Sequence, residues 1–104
     1  MPAALLVTEA LTAALYKKAI WFAAVGMKYR GNHLFSSLDK VTLMTENENR
    51  FDSNAVKVLV GGKHVAYVAK DQTGRVREMM EIGYDEIQFD KYNLSGTAAY
   101  FNML

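Results

Sequence analysis

The sequence predicts a mainly β fold with two helices, an α+β chain built on a small antiparallel β-barrel of the OB or SH3 kind with about six strands. Three observations predict it. Short apolar stretches recur at 19–29, 40–46, 55–60, 63–69, 86–91 and 96–103, most of them alternating with period two. Gly61-Gly62 sits between two of these stretches as a hairpin signal. The strands follow one another in hairpin succession. The chain has 104 residues, 51% hydrophobic and 22% charged, which suits one packed domain and argues against disorder. We divide it into an N-terminal helical extension, 1–18, and a barrel domain, 19–104.

In order, 8–18 reads as a helix. Thr8 is its N-cap, Glu9 favours its positive start and Lys17-Lys18 its negative end. Leu11, Ala14 and Leu15 share one face, to cover an open end of the barrel or to pair with a second copy in a homodimer. The stretch 19–29 reads as a strand with both faces apolar: Ile20, Phe22 and Ala24 against Trp21, Ala23 and Val25. Gly26 marks a bend or bulge in it. The strand at 40–46 places Val41, Leu43 and Thr45 together. The strand at 63–69 sets Val65, Tyr67 and Ala69 against His64, Ala66 and Val68. Asp71 is read as the cap of a second helix running to about Ile82, with Val76, Met79 and Met80 on its apolar face and Gly83 as its stop. Ile87 and Phe89 face inward from the next strand, and 96–103 is the last.

Composition excludes several functions. There is no cysteine, so disulfides and thiolate metal sites are out and a reducing cytoplasm is the default location. Twelve basic residues against eleven acidic give a net charge of +1, so a nucleic-acid site must be a local patch. The apolar N-terminal region contains Glu9, Lys17 and Lys18, so it holds no uninterrupted run of the roughly 20 residues that span a bilayer. Its charges follow the apolar run, the reverse of a signal peptide. No membrane association is expected.

The chemistry concentrates in a polar turn at 46–54, E-N-E-N-R-F-D-S-N, which leads into the strand Ala55-Val56-Lys57-Val58. Asn and Asp favour such turns because their short side chains hydrogen-bond nearby backbone. This turn also holds an aromatic, Phe51. Asn49, Phe51, Asp52, Asn54, Ala55, Val56, Lys57 and Val58 match the signature of the HIRAN domain. Val25-Gly26-Met27-Lys28-Tyr29 resembles that family's first strand, and His64-Val65-Ala66-Tyr67-Val68 its Gly-Tyr-Val strand, with Ala66 where glycine is usual. The resemblance spans about 20–80. It implies a small β-barrel. In eukaryotic DNA-remodelling helicases of the helicase-like transcription factor type, the domain grips the free 3′ end of single-stranded DNA. Short free-standing versions occur in bacteria and phages, and this chain resembles one of those.

Asp52 is the sharpest candidate. Phosphates repel a carboxylate, so a binding role needs a hydroxyl partner, and a terminal 3′-OH donates to an acceptor-only carboxylate. The alternative is that Asp52 caps its own turn through the amides of Asn54 or Ala55. Tyr29, Phe51 and Tyr67 are candidates for stacking on bases, although the alternation of Tyr67 with Val65 and Ala69 also fits core packing. Phe51 stands where the family usually has Tyr. Lys28, Arg30 and Lys70 are candidate phosphate contacts, and Arg50, where the family often has Pro, adds charge to the same patch. Asn49 joins the set through the motif.

Glu46, Glu48, Asp52 and Asn54 superficially resemble a calcium loop but lack the glycine and distal glutamate it needs. His33 and His64 are far apart in sequence without a third ligand, so zinc is not expected. There is no nucleophile–base pair and no phosphate cradle, so no cofactor and no catalysis are expected. The sequence therefore reads as a non-catalytic module for single-stranded DNA, with a helicase or nuclease as a further partner. The rival is a protein-interaction module that keeps the barrel without binding DNA.

Overall fold

A computed structural model describes residues 19–104. The helix expected at 8–18, and with it the homodimer contact, lies outside the described residues.

Six strands form the barrel: β1 (Ile20–Val25), β2 (Val41–Thr45), β3 (Val56–Val60), β4 (Lys63–Val68), β5 (Ile87–Tyr92) and β6 (Ala98–Met103). They close in the order β1-β4-β3-β2-β5-β6, every neighbouring pair antiparallel. The seam between β2 and β5 is closed by one pair, Val41 with Ile87. An OB barrel is smaller and partly open, so the strand order describes this fold better than that label. Among the described residues the α-helix is α1 (Thr73–Glu81).

Alternation builds the core. Ile20, Phe22 and Ala24 from β1, Val56 and Val58 from β3, and Ala99, Phe101 and Met103 from β6 point inward and are buried. Phe22 stacks on Phe101 with centroids 5.4 Å apart, and Phe35 meets Phe101 edge-on at 4.9 Å. Phe35 comes from the long β1–β2 connection, which is pinned by the Phe35 amide donating to Tyr92 Oη at 2.7 Å and by the His33–Asp39 pair at 2.8 Å. Helix α1 adds Val76 and Met79, both fully buried, to the same core. Gly61 and Gly62, at φ 58° and 82°, form the expected β3–β4 hairpin. Positive φ at both central residues is what such a turn requires.

Five strands lie within two residues of expectation at either end, and three local features differ. First, β1 stops at Val25. Gly26 takes φ 79° and sends the chain into a 3-10 turn, Met27–Tyr29, so the strand does not reach Tyr29. Second, Asp71 does not cap α1. It lies inside a second 3-10 turn, Lys70–Gln72, and the helix starts at Thr73, whose Oγ1 donates to the Lys70 carbonyl at 3.1 Å. Third, β4 carries a bulge. Val58 pairs with Ala66 and Leu59 with His64, which leaves Val65 as the extra residue. A bulge shifts the alternation by one. Val65, Ala66 and Val68 are therefore buried while Tyr67 turns outward, against the expected grouping of Tyr67 with Val65.

Candidate nucleic-acid interface

The turn at 46–54 is held by its own side chains. Asn49 Oδ1 accepts the amides of Phe51 (2.8 Å) and Asp52 (3.0 Å), and Asn49 Nδ2 donates to Glu46 Oε1 at 2.6 Å. Asp52 Oδ1 accepts the Asn54 amide at 2.9 Å. These are the local bonds that make Asn and Asp turn formers. Phe51 is left with nothing to pack on and is 94% exposed.

From α1, Arg77 reaches across to the same turn. It donates to the carbonyls of Asn54 (2.9 Å), Ser53 (3.2 Å) and Ala55 (3.0 Å) and to Asn47 Oδ1 (3.0 Å). The turn is thus fixed from within by Asn49 and from outside by Arg77.

Beside it opens a groove of about 810 Å³. Six of the eight predicted residues line it: Arg30, Asn49, Phe51, Asp52, Tyr67 and Lys70, joined by Arg50, Glu46, Glu48 and Lys57. Tyr67 is there because the β4 bulge turns it outward. The Arg30 guanidinium lies over the Tyr67 ring at 5.6 Å, a cation–π contact. His64 backs the same ring edge-on at 4.5 Å. Burial first, then the charge of Arg30, hold the His64 imidazole below its usual pKa, so it supports the ring uncharged.

Tyr67 Oη donates to Glu46 Oε1 at 2.9 Å, and Glu46 Oε2 pairs with Lys57 Nζ at 2.8 Å. Lys57, then Asn49 and Tyr67, bring the Glu46 carboxyl down to about 2. Burial, then Glu46, raises the Tyr67 phenol, which stays protonated as the donor. With Glu46 and Lys57 cancelling, Arg30, Arg50 and Lys70 face Glu48 and Asp52 across the lining. The groove therefore offers two aromatic faces, a local excess of cations and a carboxylate in reach of a hydroxyl donor.

Lys28 and Tyr29 do not join the others. They line a separate depression of about 230 Å³ with Gly26, Asn32 and Thr97, where Lys28 Nζ sits 5.0 Å over its neighbour's ring. The physical reason is the turn after Gly26, which carries both away and leaves Arg30 as the residue that reaches back. Asn49 lines the groove, but both atoms of its amide are occupied within the turn.

Sequence reasoning missed the Glu46–Lys57–Tyr67 network and Arg77. Lys57 carried one usable signal, a lone cation between inward-facing Val56 and Val58. Its register opposite Tyr67 depends on the bulge. Arg77 carried none, since nothing in a helix of mixed charge sets one arginine apart. Among the described residues, no three His, Asp or Glu side chains stand close enough to hold a metal ion, and no helix is long and apolar enough to cross a membrane.

Comparison with known proteins agrees with this architecture. No curated protein matches the sequence. Among solved structures, the crystal structure of the HIRAN domain of human HLTF is similar, with a TM-score of 0.56 at 18% identity, over 82% of this chain and 74% of that one. At that identity the likeness bears on fold alone. The family model described as the HIRAN domain matches residues 17–95, which include the five strands β1 to β5, the helix, the polar turn and the whole groove lining, and end before β6. By this match, the chain belongs to the HIRAN domain family.

Proposed function

We propose that the groove binds single-stranded DNA without catalysis and prefers a free 3′ end. One observation carries this reading: Phe51, fully presented by a turn that is rigid beneath it, stands beside Asp52, Tyr67 and the cations Arg30 and Lys70 in one groove. Bases stack on Phe51 and Tyr67, which tolerates any sequence. Arg30, Arg50 and Lys70 meet phosphates. Asp52 uses Oδ1 to hold the turn, and the rest of its carboxylate accepts from the terminal 3′-OH. A phosphate in place of that hydroxyl brings like charges together. Of the three stacking candidates, Phe51 and Tyr67 serve here and Tyr29 does not, because it lies outside the groove. A role at DNA ends fits repair or replication in the cytoplasm, alongside a helicase or nuclease.

A second reading, a protein-interaction module, draws support from the net charge of +1 and from the neutralisation of Lys57 by Glu46. One experiment separates the two: titration with short labelled strands that differ only at their ends, at low salt. The DNA reading expects tighter binding of 3′-OH ends than of 3′-phosphate or blocked ends. Equal binding to all three removes the end preference, and no binding at all leaves the interaction module.

A further inference from the structure

The outer face of β1 carries a second aromatic site that the groove does not use. Trp21 points outward and is 50% exposed. The Arg75 guanidinium lies 5.1 Å over its ring, and Tyr100 from β6 meets it edge-on at 5.9 Å. Arg75 is anchored by Nη2 donating to the Trp21 carbonyl at 2.6 Å. Asp71 and Gln72 complete a shallow hollow of about 320 Å³ around the indole.

This hollow adjoins the groove. Trp21, Ala23 and Val25 share the outer face of β1 by the two-residue period, and Val25 lines the groove. Between them Ala23 is buried. The 3-10 turn Lys70–Gln72 bridges the same gap, with Lys70 in the groove and Asp71 and Gln72 in the hollow. Gln72 Oε1 accepts the Ala23 amide at 2.7 Å, which ties this turn to β1. The two sites therefore adjoin across the Lys70–Gln72 turn, whose residues line both.

We infer that Trp21 is a second stacking station for the strand held in the groove, so that the nucleic acid runs from Phe51 and Tyr67 past Lys70 onto the indole. The inference rests on the groove being a single-strand site. A polynucleotide is the occupant that matches the chemistry: the half-exposed indole takes a base face, and Lys70 and Arg75 supply cations on the way. Arg75 and Tyr100 hold the indole in place, so stacking needs little further ordering.

Trp21 is the sole tryptophan of the chain, so its emission reports directly on this site. The full chain is titrated with end-labelled oligothymidylates carrying a free 3′-OH, from about 4 to about 16 nucleotides, the range of site sizes for such folds. Label anisotropy reads binding and indole emission reads stacking. The shortest strands are expected to bind without changing the emission and the longer ones to quench it. Trp21→Ala should weaken the longest strands about five- to a hundredfold and leave the shortest unchanged. Long strands that bind without quenching, or with equal affinity to Trp21→Ala, overturn this inference alone. Binding of no strand overturns the groove reading and this one with it. Emission that changes with protein concentration in the absence of DNA means that a second copy covers the face, and also overturns the inference.

Discussion

Arg77 Nε donates to the Asn54 carbonyl at 2.9 Å across 23 residues of sequence, and so ties the helix to the turn that displays Phe51. The two meet only because the barrel closes. The turn's exposure and its rigidity therefore have different origins: its polarity keeps it at the surface, and a distant arginine keeps it still.

Removing that arginine should loosen the turn before it unfolds the barrel. Arg77→Ala removes the donor to the carbonyls of Ser53 and Asn54, while the Ala55 carbonyl keeps the Glu46 amide. The expected loss is about 1–2 kcal/mol of stability, since these bonds are charge-assisted but partly exposed. Amide exchange at 51–55 should rise more than exchange in β1 or β6. Unchanged exchange at 51–55 would show that Asn49 alone holds the turn.

Phe51→Ala should separate binding from stability. The ring is almost wholly exposed, so the melting temperature should not move. Affinity for single strands should fall by the value of one stacked base, about 1–3 kcal/mol. A fall in melting temperature would mean that the ring packs somewhere in solution.

At Asp52 the informative change is to Asn. It keeps an oxygen for the Asn54 amide, so the turn survives, and it removes the charge. The preference for 3′-OH over 3′-phosphate should shrink about ten- to a hundredfold, the value of a charged hydrogen bond of about 1.5–3 kcal/mol. Persistence of the full preference in Asp52→Asn and Asp52→Ala would place end recognition elsewhere.

Cations should sort by position. Lys70→Ala and Arg30→Ala should weaken binding to all ends alike and lower the salt slope by about one each. Lys28→Ala should do neither, because its side chain lies in the other depression. Salt titrations of the three variants check this. An effect of Lys28 equal to that of Lys70 would contradict the placement.

Glu46 predicts an acid limb in stability. Its folded pKa is depressed from 4.5 to about 2, chiefly by Lys57. A depressed carboxylate stabilises the fold above its unfolded pKa, and that contribution is lost as pH falls through the folded value. The window therefore runs from about pH 4.5 down to about 2. The stability difference between wild type and Glu46→Gln, measured by urea unfolding, should be constant near neutrality and shrink across that window. A difference independent of pH would assign the Glu46 contribution to hydrogen bonding alone.

The strands, the hairpin at Gly61-Gly62 and the exposed turn were legible in the residues alone. Each depends on local rules: two-residue alternation, positive φ at glycine, and side chains of Asn and Asp that bond to adjacent backbone. The motif around Phe51 and Asp52 was legible for the same reason, since its parts are neighbours in the chain. The tertiary structure decided which other residues reach it. The bulge at Val65 turned Tyr67 from the core to the groove, because a barrel closing on buried Val65 and Ala66 must absorb one extra residue. The turn after Gly26 took Lys28 and Tyr29 away from the groove and kept Arg30 in it. Arg77, Glu46 and Lys57 were brought in by strand register and helix docking. Those depend on how the core packs, and no local pattern records that.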